Sequence, residues 1–144
     1  MRILLAVDDS EHSNAATKSI LERPWPTGST VRVLFVVQIY TPIPIPTGVL
    51  DYEALTQSLL KGAQGVIDRT TAKLGALGVT IESGMRQGDP RQEIVDEAKD
   101  WNADLIVVGS HGRTGLQRWL LGSVAEHVVR NAPCSVEVVR QPKP

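Results

Sequence analysis

The residues best suited to chemistry lie between Asp104 and Val129, in the stretch DLIVVGSHGRTGLQRWLLGSVAEHVV. An apolar run from Leu105 to Val108 stops at Gly109, and a polar loop with Gly112 and Gly115 follows. Gly122-Ser123 then opens an amphipathic segment. Strand, glycine loop and helix start, in that order, is how α/β proteins hold phosphate. Glycines let the backbone approach an anion, and the first N–H groups of a helix lack an acceptor within it. Arg113 and Arg118 make the loop positive, which suits a polyphosphate.

Each residue here carries more than one chemistry. Gly109 and Gly112 fit close backbone approach to ribose and phosphates, yet G-x-x-G alone is also an ordinary surface turn; the coupled Gly122-Ser123 favours phosphate. Ser123 can cap its own helix or turn its hydroxyl and N–H toward an anion, and Val124 would add its N–H. Asp8, after the apolar run Ile3 to Val7, either accepts hydrogen bonds from ribose or adenine or caps the next helix; Asp9 reads as solvated or as a cap. Arg113 divides evenly between a phosphate partner and a solvated charge. His111 has no evident carboxylate partner that would make it a base, and His12 and His127 sit elsewhere in the pattern. Three scattered histidines and the lone Cys134 make no metal-ligand spacing, and Cys134 reads as a small buried residue.

The elements that must position these residues alternate. Ile3–Val7 and Val31–Val37 are nearly continuous apolar runs. Between them Ser10 or Ser13 caps a helix bearing Ala15, Ala16 and Ile20, stopped at Pro24-Trp25-Pro26. Asp51 opens a long helix with Leu55, Leu59, Ala63, Val66, Ile67, Leu74 and Leu77 at steps of three and four, ended by Gly75 and Gly78. Val79, Ile81 and Met85 alternate with polar residues, and Asp89-Pro90 starts a helix burying Ile94, Val95 and Ala98. The last helix carries Leu120, Leu121, Val124, Ala125, Val128 and Val129 on one face, and Val136 and Val138 alternate in a fifth strand.

This β-α-β-α-β-α-β-α-β pattern predicts an open, Rossmann-like five-stranded parallel sheet with helices on both faces, in a single domain spanning residues 1–144. Strands one, two and four are apolar throughout, as central strands are; strands three and five alternate, as edges do. Order 3-2-1-4-5 satisfies both. It sets the topological switch between strands one and four, which end in Asp8 and Gly109, and ligands bind outside the carboxyl ends there.

Composition narrows the partners. A net charge of −1 gives no electrostatic reason to expect nucleic acid or an anionic membrane, and no apolar run approaches the roughly 20 residues of a membrane span. The N-terminus runs straight into a strand without a signal-peptide layout, so a cytoplasmic location is expected.

Gly109, two residues, Gly112, nine residues and Gly122-Ser123 together resemble the nucleotide-binding signature of the universal stress protein family. The opening MRILLAVDDSEHS, the turn Gly88-Asp89-Pro90 and the closing APCSVEVVR resemble the same family, although Ser135 stands where its pattern usually has proline. The resemblance runs from Arg2 to Arg140 and is weakest between Tyr40 and Leu50. It implies a regulatory protein that binds ATP, with AMP or cyclic AMP as alternatives, and any Mg or Mn held by the phosphates. It also implies that Ala6 and Val7 floor the pocket, that Val36 offers backbone groups to the adenine edge, and that Val108 packs beside base or sugar.

Two rivals fare less well. A slow ATPase would need a lysine or arginine clamp, metal carboxylates and a base, and the chain has no G-x-x-x-x-G-K-[ST] loop. A phospho-receiver needs an aspartate ending strand three and a lysine after strand five, where this chain has Met85-Arg86-Gln87 and Arg140-Gln141. The segment YTPIPIPTGVL is extended by its alternate prolines, and either covers the ligand or packs on its own domain or a neighbouring subunit. Finally, Ser135–Arg140 reads as an edge strand without internal proline or lysine, open to antiparallel pairing in a homodimer that would bring Glu137 near Arg140 of the other chain.

Overall fold

The apolar runs become five strands: β1 (Arg2–Val7), β2 (Thr30–Val37), β3 (Thr80–Gln87), β4 (Leu105–Gly109) and β5 (Ser135–Val139). Four helices connect them, α1 (Glu11–Leu21), α2 (Tyr52–Leu74), α3 (Pro90–Asp100) and α4 (Ser123–Asn131). This computed structural model describes residues 1–39, 51–112 and 120–142. The strands form one sheet in the order β3-β2-β1-β4-β5, every pairing parallel, as the strand character predicts.

Strand periodicity splits the core in two. Ile3, Leu5 and Val7 of β1, with Val31, Val33, Phe35 and Val37 of β2, face Ala16 and Ile20 of α1 and Ala63, Val66, Ile67 and Leu74 of α2. The intervening Leu4 and Leu34, with Ile106 and Val108 of β4, face Ile94, Val95 and Ala98 of α3 and Ala125 and Val128 of α4. Leu4, Leu5, Leu34 and Ile106 are completely buried; each such side chain contributes about 1.5–3 kcal/mol of transfer free energy. Continuous apolar strands are therefore what a sheet covered on both faces requires.

Local chemistry starts the helices. Ser10 is the N-cap of α1, its hydroxyl accepting from the Ser13 N–H, and Asp51 caps α2 by accepting from the Ala54 N–H. At α3, Gly88 takes φ +146, a region that favours glycine; Asp89 accepts from the Arg91 N–H, and Pro90 occupies the first turn. The Arg91 guanidinium also bonds Asp89 and holds its carboxyl below the ordinary aspartate value.

Charges then tie α3 to the sheet. Glu97 of α3, buried, accepts from Arg32 of β2 at 2.7 Å and from Arg86 of β3 at 2.5 Å. Burial works against the charge on Arg86, but hydrogen bonds to Asp100, Glu97 and Glu93 outweigh it and raise its pKa above the ordinary arginine value. Arg32 and Arg2 both stack on the Trp101 ring.

Several expectations are corrected. The last helix begins at Ser123, where Gly122-Ser123 sets it, but Leu120, 63% exposed, and Leu121 precede it instead of lying on its face, and Val129 is half exposed. The Gly122 N–H donates to the Ser110 carbonyl, which holds Gly122 extended just before the helix. Leu55 and Leu59 lie on the exposed part of α2, and burial begins at Ala63. A 23-residue helix runs roughly 34 Å against roughly 26 Å for an eight-residue strand, so its first turns overshoot the sheet. Edge strands β3 and β5 are half-buried at most positions rather than strictly alternating. In β5, Val136 and Val138 pack on one core cluster and Val139 on the other. Glu137 is engaged within its own chain, accepting from Ser19 Oγ at 2.8 Å and pairing with Arg23 at 2.8 Å. Cys134 is half-buried rather than fully buried; burial pushes its thiol pKa up, and the Asp104 charge adds to this.

Candidate functional site

The chain leaves β1 and β4 in opposite directions, to α1 on one face and toward α4 on the other, and a crevice opens between them. It is a cavity of about 870 Å³, within the range that takes small ligands. Ala6, Val7 and Asp8 line it from β1, Val36 from β2, and Val108 and Gly109 from β4. His111, Gly112, Gly122, Ser123 and Val124 close it on the α4 side. The fold thus brings eleven of the twelve candidate residues to one wall system. The twelfth, Arg113, lies outside the described residues, as do Gly115, Arg118 and the segment 40–50.

The glycines have separate reasons. A Cβ on Gly109 would stand 2.7 Å from the carbonyl carbon of His12 and 2.8 Å from its oxygen, so this glycine lets α1 cross directly over β4. Helix–strand packing is thus a second duty, beside the place Gly109 has in the cavity wall. A Cβ on Gly112 would come 2.9 Å from Asp8 Oδ2, closing the gap between the two loops. On Gly122 it would meet His111 Cα and the Ser110 carbonyl oxygen, each at 3.1 Å.

Asp8 shapes the opposite wall. Its Oδ1 accepts from the Ser10 N–H at 3.1 Å, and its own N–H donates to Ser13 Oγ at 3.2 Å. The helix cap proper is Ser10, so Asp8 organises the turn before the helix while still lining the cavity. Asp9 makes the turn with φ +66 and, exposed to solvent, pairs with Arg69 of α2 at 3.1 Å; it does not cap α1.

At α4 the N-cap is Gly122, which offers no side chain, and Ser123 is the first helical residue and exposed. Ser123 therefore is not the cap. The first backbone bond of the helix is Glu126 N–H to the Gly122 carbonyl. The N–H groups of Ser123, Val124 and Ala125 thus have no acceptor within α4 and stand at the cavity wall, a ready site for an anion.

Tertiary structure adds residues that sequence reasoning missed. Phe35, Val37 and Gln38 extend the β2 wall, Ser58, Leu59, Gly62 and Ala63 of α2 form one side, and Pro90 and Ile94 of α3 another. The small residues Ser58, Gly62 and Ala63 at helical spacing were the available signal, since α2 follows the loop leaving the ligand end of β2. The separation expected of the histidines is also corrected. His12 and His111, distant in sequence, lie with ring centroids 5.1 Å apart, and Ser110 Oγ sits between their Nδ1 atoms at 3.3 and 3.1 Å. Among the described residues no three His, Cys, Asp or Glu side chains gather as a metal site, and no helix is long and apolar enough to cross a membrane.

Known proteins share this architecture. The model of the universal stress protein family matches residues 1–140. Universal stress protein MJ0531 of Methanocaldococcus jannaschii is 35% identical over 142 residues, which is 99% of this chain and 83% of that protein. The solved structure of MJ0577 from the same organism superposes with a TM-score of 0.85 at 29% identity, covering 99% of this chain and 97% of that one. Universal stress protein UspA from Lactobacillus plantarum does so with a TM-score of 0.84 at 26% identity, covering 97% of each. A crevice between β1 and β4, a glycine loop leading into α4, and matches along nearly the whole length agree: this chain belongs to the universal stress protein family.

Proposed function

We propose that this chain is a regulatory module of the stress response that binds ATP in the β1–β4 crevice and works through occupancy rather than turnover. One observation carries the proposal: the Asp8 strand end, the glycine loop and the uncapped N-terminus of α4 converge on a single cavity of about 870 Å³. The phosphates lie against Gly112 and the Ser123 and Val124 N–H groups, bringing any Mg or Mn with them, and Arg113 adds charge to the same loop. Asp8 accepts from ribose or adenine, Val36 offers its backbone to the adenine edge, Ala6 and Val7 form the floor, and Val108 packs beside the base or sugar. An Arabidopsis thaliana family member was solved with AMP bound and another universal stress protein in complex with cAMP, which supports an adenine ligand here. The location that suits this role is the cytoplasm.

The test is direct. Mass spectrometry of small molecules released from freshly purified protein should find an adenine nucleotide, and calorimetry should rank ATP above AMP and cyclic AMP. Absence of bound nucleotide together with no heat for any of the three would sink the proposal.

A homodimer through Ser135–Arg140 accompanies this function. The Val139 carbonyl accepts from the Ser110 N–H on the inner side, so by strand alternation the N–H and C=O of Val136 and Val138 point outward along the free edge. Val138→Pro removes an outward donor without touching the β4 ladder. Light scattering at tens of micromolar should report twice the chain mass for the parent and a shift toward the single-chain mass for the variant. A monomeric parent would exclude the interface.

A further inference from the structure

Buried polar atoms in folded proteins nearly always have a partner, and each exception asks for an explanation. His111 Nε2 is such an exception, buried and without a hydrogen-bond partner among the described residues. His111 is one of the residues lining the cavity, beside Gly112 and Gly122. The other ring nitrogen, Nδ1, is held by Ser110 Oγ at 3.1 Å. Ser110 is itself almost completely buried, and the same oxygen lies 3.3 Å from His12 Nδ1.

A serine hydroxyl has one proton to give and two lone pairs to receive with. Between two imidazole Nδ1 atoms, that proton satisfies one ring, and the other ring must donate to the oxygen. With each ring carrying one proton, the two histidines take opposite tautomers. Two directions are open, and the surroundings choose between them. The wall around His111 presents N–H groups, those of Ser123 and Val124 at the start of α4, and these suit a ligand oxygen rather than a ligand donor. A proton on His111 Nε2 matches them. Its Nδ1 then accepts from Ser110, and Ser110 accepts from His12 Nδ1–H.

We propose that His111 Nε2–H donates to an oxygen of the bound nucleotide, phosphate or ribose, and that Ser110 and His12 are positioning residues that lock the ring in the donating tautomer. This rests on the nucleotide-binding reading above and adds a specific donor to it. His12 adjoins Glu11 on α1, whose carboxylate accepts from Gln141, and Asp8 faces the same loop from β1. The donor role asks no protonation change of any of them, because the neutral ring already carries the proton it gives.

Nitrogen-15 spectra of histidine-labelled protein read the tautomer in the unaltered chain. In the free protein His111 should show a protonated Nε2 and an unprotonated Nδ1, with His12 reversed, and ATP should shift His111 Nε2 most. His111→Gln, which keeps a distal amide donor, should bind ATP within a few-fold of the parent. His111→Asn, whose amide mimics only the near nitrogen, should bind about 10-fold or more weakly. Ser110→Ala should leave His111 in a mixture of tautomers. If the parent binds ATP while His111 Nε2 does not shift and His111→Asn keeps full affinity, the donor role is overturned and the nucleotide site stands. If the parent shows neither heat nor any histidine shift with ATP, the nucleotide reading itself fails and takes the donor role with it.

Discussion

Replacing Gly122 with valine is expected to weaken ATP binding by at least about 100-fold, close to 3 kcal/mol, while leaving a folded protein. The site's geometry supplies the reason. Gly122 sits against the backbone of the 110–112 loop, with its N–H bonded to the Ser110 carbonyl at 2.8 Å. A Cβ there would lie 3.1 Å from both His111 Cα and Ser110 O. Alanine could be absorbed by a shift of a few tenths of an ångström, but valine adds two methyl groups against backbone that has little room to yield. The loop and the start of α4 must separate. The free N–H groups of Ser123 and Val124 then no longer converge with Gly112 on one anion. Overpacking of this kind costs roughly 1–3 kcal/mol of stability, so the melting temperature should fall by several degrees without loss of cooperativity. Calorimetry on parent and variant decides the matter; unchanged ATP affinity in Gly122→Val would show that the loop–helix junction is not the phosphate site.

A larger loss of stability is expected at Gly109, where even alanine is too big. The added carbon would stand 2.7 Å from the His12 carbonyl carbon, 2.8 Å from its oxygen and 2.9 Å from its Cβ, all inside contact distance. None of these is the far end of a flexible side chain. Helix α1 must lift away from β4, which opens the cluster of Ala16 and Ile20 against the sheet. Gly109→Ala should cost about 2–3 kcal/mol, lowering the melting temperature by about 6–15 °C for a chain of this size. The same movement pulls His12 from Ser110 and disturbs the Ser10–Ser13 turn that holds Asp8. Saturating ATP should therefore rescue the variant less than it stabilises the parent. A variant melting within a degree of the parent would mean that α1 does not pack this closely on β4.

Much of this molecule was legible in its sequence because the relevant physics is local or periodic. Nearly continuous apolar runs read as strands covered on both faces, and the weaker patterns at Val79–Met85 and Val136–Val138 read as edges; that reasoning leads to the observed order β3-β2-β1-β4-β5. Caps such as Asp51 and Asp89-Pro90 act within one turn of chain, so they too could be read directly. Asp8 and Gly109 end adjacent strands, and the switch-point rule puts them in one crevice before any coordinate is known.

Other features depend on which backbones meet, and residue spacing holds no record of that. The sequence marks Gly109 as a glycine; only the crossing of α1 over β4 explains why no other residue fits. Leu120 and Leu121 fall outside the last helix, and Gly122, its N–H bonded to the Ser110 carbonyl, stays extended just before Ser123, a contact between segments with no shared periodicity. His12 and His111, 99 positions apart in the sequence, meet across Ser110 only because the loops after β1 and β4 share one end of the sheet. Glu137, which as a sequence position looked free to reach another chain, already bonds Ser19 of α1 and Arg23 just beyond that helix. Composition and period determined the elements, their order and the crevice; close approach of distant backbones decided what each residue in it is free to do.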